Sequence, residues 1–406
     1  MFLDRGWALK ALFFLLYFSV ALRYLKITFG ANVYFLVLVP LVLYIGLTFL
    51  KNKKIIFSSV DLVFSLFVIT LTANYIMAGI RAGFGSQLIY LLYIYIPLLF
   101  YFVARMNAFS SDMFTKFLTR FSVIFALVTI IEFMIYALDP SAKGIITTYM
   151  RDVVQNSNFY PPTVQYPLIG LHTKPWGPMF DASAGGAFLA VLTVFQSEVA
   201  NIKKTRSSYL SAVVLLVAAF LSGSKSAYLM VFIYAAVRYL GSVAVRPTFS
   251  KLFFLLPVLS GISICVVLFI VFFFSGEALP RYLKAFLEVP FNNLLEGIAH
   301  HGIELFFGLG QESLKNTIIG TGEVDFINSI FRYGVFFTLS MTFLLIYLAV
   351  KCFKTMPHFF GLFFMFVLAM NHYQVAFKFP ASIILFIAVA VVVNEKSRRW
   401  KTNVET

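Results

Sequence analysis

The sequence predicts an all-α integral membrane protein, and three observations lead to this prediction. Of the 406 residues, 61% are hydrophobic and only 12% are charged. An average soluble domain has about 25% charged and about 45–50% apolar residues, so this chain has too few polar side chains to cover a surface in water. The third observation is that long apolar runs recur along the whole chain. Together they exclude a disordered chain, a fibrous protein and a disulfide-stabilised scaffold.

The apolar runs predict the number of spans, because a helix that crosses a bilayer needs about 20 mostly apolar residues. Twelve candidate runs occur, with limits near 8–27, 31–50, 60–80, 86–105, 117–138, 179–198, 207–223, 226–243, 251–275, 327–350, 357–373 and 376–394. We therefore expect one polytopic membrane domain, residues 1–406, with about twelve transmembrane helices. The first run follows Arg5 and Lys10 and has no cleavage site after it, which indicates an uncleaved signal anchor.

The basic residues predict the orientation, since Lys and Arg are enriched in short cytoplasmic loops. If the termini and the even-numbered turns share one side, that side receives 20 of the 32 Lys and Arg residues and the other side receives 12. Both termini are thus predicted to be cytoplasmic. This topology explains most of the net charge of +15, so the charge does not indicate a nucleic-acid partner.

Two connections are much longer than the others, and both fall on the predicted outer, periplasmic side. They are residues 139–178, rich in Pro, Tyr and Asn, and residues 276–326, which contain several Glu residues. We expect short helices in these loops, amphipathic in the second. Long loops in a compact protein are usually functional or disordered, so binding or chemistry is expected here.

Lys174 lies just ahead of a predicted helix that begins at Asp181. The N-terminus of a helix attracts anions through its unpaired N–H groups, and a cation in front of it would complete a phosphate site. The alternative is that Lys174, with the neighbouring Trp176, only anchors the helix at the membrane interface.

Lys225 lies in a polar break, Ser222 to Ser226, between two runs of about 17 residues that are slightly short for a full span. An isolated charge at membrane depth is costly and is a functional candidate. Lys225 would then lie at or below the outer interface. The alternative is a simple turn whose lysine extends its ammonium group into water.

Charged residues also flank the span predicted at 327–350. Glu323 and Asp325 lie just outside it, and Arg332 enters it by one to two helical turns. A carboxylate near an apolar boundary can have a raised pKa and act as a general base. Alternatively, Asp325 caps the helix and Arg332 pairs with an acidic neighbour.

His300 and His301 stand close to Glu304 in the second long loop. They lack the spacing of a helical His-Glu-x-x-His zinc motif, and the sequence has no phosphate-binding Walker loop. We therefore predict no metal and no cofactor, and the two histidines remain candidates for a general base.

The order of these motifs resembles the Wzy-type O-antigen polymerase and O-antigen ligase superfamily over residues 165–350, about half the chain. The motifs are Lys174-x-x-Gly177-x-x-x-Asp181 at the opening of a span, Gly223-Ser224-Lys225-Ser226-Ala227-Tyr228, Gly308-Leu309-Gly310 in the long outer loop, and Asp325-Phe326-Ile327 through Gly334 at the next span.

The resemblance implies a glycosyltransferase of the bacterial inner membrane that uses undecaprenyl-pyrophosphate-linked oligosaccharide at its outer face. It implies that Lys174 and Lys225, where many relatives have Arg, hold the pyrophosphate, with Arg281 or Arg332 assisting. Membrane lipid and a chain-length regulator protein would be partners. Ligases of the superfamily have a His before the later span, where this chain offers Glu323 or Asp325, and this difference favours a polymerase.

The predicted function is therefore a metal-independent O-antigen or surface-polysaccharide polymerase in lipopolysaccharide biosynthesis. One alternative is an O-antigen ligase of the same superfamily. Another is a twelve-span transporter or a flippase for lipid-linked oligosaccharide. The short basic turn at 201–207 and the two long outer loops favour the enzyme over the transporter.

Overall fold

The computed structural model describes residues 43, 58–107, 109–139, 141–142, 163–166, 170–175, 177–179, 182–243, 289–310, 325–370 and 381–405. These residues are mostly helical. The spans predicted at 8–27, 31–50 and 251–275 lie outside the described residues, apart from Leu43, and so do Glu323 and Arg281. The total number of spans, about twelve, therefore remains a prediction.

The described helices are numbered here in chain order. They are α1 Ser59–Ala82, α2 Phe84–Met106, α3 Ser111–Leu138, α4 Ala182–Lys203, α5 Arg206–Leu221, α6 Lys225–Val243, α7 Val289–His301, α8 Glu304–Phe307, α9 Asp325–Tyr333, α10 Val335–Thr355, α11 Pro357–Met370 and α12 Ala381–Glu405. Each of the other nine predicted runs coincides with one or two of these helices.

Within the described part of the chain, four helices are long and apolar enough to cross a membrane, namely Ser59–Ile80, Ser111–Leu138, Ala184–Lys203 and Val335–Thr355. Shorter apolar helices accompany them at Tyr95–Met106, Arg206–Leu221, Pro357–Met370 and Ala381–Glu395. This composition is that of an integral membrane protein.

Local sequence explains several helix starts. Ser58 accepts a hydrogen bond from the Asp61 N–H, while the Asp61 carboxylate accepts the Ser58 N–H at 2.7 Å, so α1 begins with a reciprocal capping box. Ser110 and Thr205 cap α3 and α5 through their hydroxyl groups. Each cap satisfies an N–H group that would otherwise lack a partner in the first helical turn.

The run predicted as one span at 327–350 is interrupted. Gly334 has φ +94°, so α9 ends at Tyr333 and α10 begins at Val335. A positive φ is accessible to glycine but costly for residues with a Cβ. Hydropathy missed this break because the apolar residues continue on both sides of it.

The interior is built mainly from phenylalanine and small residues. Helix α4 is almost wholly buried, as is the apolar part of α12, whereas α1, α3 and α5 each keep an exposed apolar face. Phe114 and Phe359 stack with ring centroids 5.5 Å apart, and Phe188 meets Phe125 edge to face at 5.3 Å. The exposed apolar faces are suited to contact with lipid.

Polar contacts between side chains hold the helices together at one end of the bundle, which we call the Asp61 end. Asp61 of α1 pairs with Arg105 of α2 at 2.8 Å, and Arg105 also donates to Asn394 of α12. The N–H of Ser111, at the start of α3, donates to Glu395 at 3.0 Å.

Further contacts join other helices at the same end. Gln196 of α4 accepts from Thr119 of α3 at 2.9 Å, and Glu198 of α4 pairs with Arg238 of α6 at 2.8 Å. Most of the described Lys and Arg residues lie towards this end. It is therefore the end for which the sequence predicts the cytoplasmic side. The opposite end is called the Gly186 end below.

Candidate functional site

The first long loop approaches the Gly186 end through a β-hairpin, where short helices were expected. Strands β1 (Thr163–Tyr166) and β2 (Gly170–Thr173) are antiparallel, with Thr163 opposite Thr173 and Tyr166 opposite Gly170. The ring of His172 lies 5.7 Å from that of Phe133 on α3. Lys174 follows β2 directly and is half-buried. The hairpin thus places Lys174 close to the part of α3 that lies at the Gly186 end.

A glycine fixes the chain just after Lys174. Gly177 begins the short 3-10 helix Gly177–Met179, and its N–H donates to Glu132 Oε2 of α3 at 2.7 Å. Its φ is +59°, and a Cβ built on it would lie 2.9 Å from Thr129 Oγ1. A side chain at this position would therefore face both backbone strain and overlap with α3.

The beginning of α4 packs directly against the turn that carries Lys225. A Cβ built on Gly186 would lie 2.3 Å from Ser224 Cβ and 2.7 Å from Ser222 Oγ. No real Cβ could occupy that space without displacing the turn. The helix predicted to follow Lys174 and the polar break predicted to hold Lys225 are therefore neighbours.

The turn itself is built from buried serines around one exposed lysine. Ser222, Ser224 and Ser226 have exposed fractions of 1%, 2% and 8%, whereas Lys225 is exposed. Ser224 Oγ and Ser226 Oγ are 2.8 Å apart, and Ser222 Oγ donates to the carbonyl of Ala219 at 2.7 Å. These bonds satisfy the hydroxyls internally, so the turn is held by its serines while Lys225 faces outward.

The second long loop meets the break at Gly334 through a crossing of two glycines. A Cβ on Gly308 would lie 2.5 Å from the Gly334 nitrogen, and one on Gly334 would lie 2.4 Å from the carbonyl oxygen of Phe306. The N–H of Leu309 donates to the carbonyl of Phe331 at 2.6 Å. The two backbones are in direct contact, as only glycine permits.

Asn74 of α1 stabilises the contact between the Gly308 and Gly334 backbones. Its side-chain Nδ2 donates to the carbonyl of Arg332 at 3.0 Å and to the carbonyl of Phe307. Asn74 is 8% exposed, so these bonds are shielded from water. Arg332, the predicted pyrophosphate ligand, is half-buried in α9, and its main chain is thereby fixed to the first half of the protein.

The side chains of the candidates for a general base have fewer described contacts than the glycine crossing. His300 and His301 end α7, and His301 Nδ1 lies 3.6 Å from Glu304 Oε2. Helix α7 also contacts α9, because a Cβ on Gly297 would lie 2.2 Å from the Phe331 ring. Asp325 is the first residue of α9, but its side chain lies outside the described part of the structure.

The described contacts therefore form two groups at the Gly186 end. The first joins the Lys174 segment, α3, the start of α4 and the Lys225 turn. The second joins His300, His301 and Arg332 through α7, α8 and α9, with Asn74 of α1. Among the described residues, no group of three or more His, Cys, Asp and Glu side chains is arranged to hold a metal ion.

Sequence reasoning missed Glu132 and Asn74. Both lie in predicted spans whose number alone was considered informative. An ionisable residue within a predicted span is a functional candidate by default, and that rule would have identified Glu132. Nothing in the sequence marks Asn74 as the partner of main-chain groups more than 230 residues away.

Asp139 is a second acid next to the Gly186 end of α3. It follows the last helical residue, and its carboxylate accepts hydrogen bonds from the hydroxyl and the N–H of Ser141. The Ser141 hydroxyl, together with that N–H, lowers the pKa of Asp139. Asp139 therefore stays ionised and is a poor general base.

No protein-family model matches the chain, and no curated protein sequence matches it. A functional conclusion must therefore come from the residues of this chain and from their arrangement.

Proposed function

We propose that the chain is a Wzy-type polymerase of O-antigen or another surface polysaccharide. It would transfer a glycan from undecaprenyl pyrophosphate to a sugar hydroxyl of a second lipid-linked repeat unit, at the periplasmic face of the bacterial inner membrane. Both termini would be cytoplasmic. The observation that carries the proposal is the contact of Gly186 with Ser222 and Ser224, since it packs the helix that follows Lys174 against the turn that bears Lys225.

The proposed reaction needs cations at the leaving group. The bond between the anomeric carbon of the donor sugar and the pyrophosphate oxygen breaks, and the electron pair leaves with undecaprenyl pyrophosphate. Lys174 and Lys225, with Arg281 or Arg332, would stabilise that developing negative charge. Lysine would do so as a point charge, without the two-pronged geometry of arginine.

The acceptor hydroxyl oxygen forms the new bond to the same carbon and loses its proton to a base. Glu323, Asp325, His300 and His301 are the candidates. Because pyrophosphate is a stable leaving group, positioning and charge neutralisation would suffice without a metal or cofactor. The lipid tails would lie against the exposed apolar faces of the helices, and a chain-length regulator protein would bind from outside this site.

The experiment complements a deletion strain, in a host with an intact ligase, with Lys174→Ala, Lys225→Ala and the double variant. Each single variant is expected to reduce long-chain polymer about 10²-fold, the typical loss when one transition-state donor is removed. Lys116→Ala is the matched control, because Lys116 is an exposed lysine at the Asp61 end that pairs with Asp112. Membrane amounts of each variant are measured by immunoblot.

The distribution of lipid-linked product separates the alternatives. A polymerase defect leaves single repeat units that still reach the outer face and are transferred. A flippase defect traps the units inside, and a ligase defect leaves full-length polymer unattached. Normal polymer in the double variant would contradict the assignment of the pyrophosphate site.

A further inference from the structure

Glu132 is a carboxylate on an otherwise apolar stretch of α3. One carboxylate oxygen, Oε2, accepts the Gly177 N–H at 2.7 Å, and the other, Oε1, accepts the Tyr136 hydroxyl at 2.8 Å. Tyr136 stands one helical turn further along α3. Both oxygens of the carboxylate therefore act as acceptors, one within the helix and one towards the long loop.

Glu132 lies in the last third of α3. Helix α3 has 28 residues, so at about 1.5 Å per residue it is about 42 Å long. Glu132 is 21 residues after Ser111, or about 32 Å along the axis. It therefore lies in the part of the helix nearest the Gly186 end, where α3 meets Gly177 and His172.

The bond from Gly177 fixes the loop at a point three residues after Lys174. Gly177 is pressed against Thr129, and the adjacent hairpin rests on Phe133 through His172. Thr129, Glu132, Phe133 and Tyr136 are spaced so that they share one face of α3. This face forms a seat for His172 and Gly177, and Glu132 supplies a carboxylate acceptor within it.

We propose that Glu132 is a positioning residue that holds Lys174 in register with Lys225, by binding the Gly177 main chain. The inference rests on the proposed function, because it assigns Lys174 the task of binding pyrophosphate. Glu132 is assigned this structural role and not that of the base, since its two oxygens accept the Gly177 N–H and the Tyr136 hydroxyl. The substrate contact is made by Lys174, and Glu132 acts through the segment that carries it.

Substitution by glutamine distinguishes a positioning role from that of a base. In Glu132→Gln, the new amide oxygen can accept the Gly177 N–H, and the amide N–H can donate to the Tyr136 hydroxyl. Glu132→Gln therefore keeps the seat, whereas Glu132→Ala removes it. A general base would be lost equally in both variants, because a glutamine amide cannot take a proton at neutral pH.

The direct test measures the position of residue 174 without relying on activity. Lys174→Cys is placed in a Cys265→Ser/Cys352→Ala background, and the rate of labelling by a membrane-impermeant maleimide is measured on whole cells made permeable in the outer membrane. Glu132→Ala is expected to change that rate at least fivefold, and Glu132→Gln less than twofold. Gly177→Ala, which disturbs the same bond from the loop side, is expected to act like Glu132→Ala.

A Lys225→Cys reporter in the same background is the control for folding, and its labelling rate should stay the same in all three variants. An unchanged rate at residue 174 in both Glu132→Ala and Gly177→Ala would overturn the inference. So would a Glu132→Gln variant that shifts the labelling rate as far as Glu132→Ala. These outcomes are independent of polymer formation, whereas normal polymer in Lys174→Ala would contradict the pyrophosphate role proposed for Lys174 and leave the labelling result standing.

Discussion

The two ends of the bundle are held together by different chemistry. At the Asp61 end, helices are joined by side-chain ion pairs, Asp61 with Arg105 and Glu198 with Arg238. Hydrogen bonds from the side-chain amide of Asn394 to the carbonyls of Ala104 and Phe109 join them as well. At the Gly186 end, the close approaches involve glycines, serines and main-chain groups.

The two kinds of contact leave the charged side chains of each end with different roles. A buried ion pair commits both partners to each other, because separating them leaves an uncompensated charge in a medium of low dielectric. Contacts made through glycine backbones hold segments in place without using a cationic side chain. The Gly186 end can therefore fix the backbones around Lys174, Lys225 and Arg332 by packing, which suits the anion-binding role proposed for these cations.

The largest effect is expected from breaking the buried pair at the Asp61 end. The side chains of Asp61 and Arg105 are 4% and 7% exposed. Asp61→Ala should lower the free energy of unfolding by about 3–5 kcal/mol, since it removes one partner of a buried pair. Thermal unfolding of the purified protein in detergent measures this as a loss of Tm.

The control for that prediction is the double variant Asp61→Ala/Arg105→Met, which removes both charges. It should recover much of the lost Tm, because an apolar replacement of a whole buried pair is often close to neutral. If the double variant unfolds at the temperature of Asp61→Ala or lower, the uncompensated charge is not the cause.

A more local effect is expected from enlarging a glycine at the Gly186 end. Gly334→Ala would place a methyl group 2.4 Å from the carbonyl oxygen of Phe306. Overpacking of this kind costs about 1–3 kcal/mol, and the backbone at φ +94° and ψ +156°, a conformation essentially restricted to glycine, adds about 1–3 kcal/mol. Local detachment of the second loop should follow, seen as faster limited proteolysis within residues 289–310.

Gly302→Ala is a matched control in the same loop. Gly302 also has a positive φ, +48°, but nothing lies within 4 Å of a Cβ built on it. It should therefore show the cost of a positive φ without steric overlap, about 1–2 kcal/mol. Equal proteolysis rates for the two variants would mean that the crossing of Gly308 and Gly334 does not hold the loop.

The comparison also shows how far the sequence could predict this protein. Hydropathy located the described helices, since α3 ends at the predicted Leu138 but begins six residues earlier than predicted, and α4 begins three and ends five residues later than predicted. The Ser-Gly-Ser break before Lys225 is a turn as predicted, because these residues favour turns and end helices. The twelve-span topology and the polymerase activity remain predictions.

Pairings between distant segments could not be predicted. The break at Gly334 lies inside an apolar run, and strands β1 and β2 lie in a loop for which short helices were predicted. Asn74 and Glu132 are recognised as important only when their partners, Arg332 and Gly177, are known. The sequence shows which residues within a span are polar, but the main-chain groups to which they hydrogen-bond depend on the tertiary packing.

The smallest effect is expected at an exposed pair, also at the Asp61 end. Lys116 and Asp112 are four residues apart on α3, 2.7 Å from each other and each 64% exposed. Lys116→Ala should change the free energy of unfolding by less than about 0.5 kcal/mol, because water and salt screen such a pair. The same detergent unfolding experiment measures it beside Asp61→Ala. A loss of Tm as large as that of Asp61→Ala would show that burial does not separate the two pairs. If the two variants differ as expected, then burial, and not the presence of opposite charges, decides which ion pairs hold the Asp61 end.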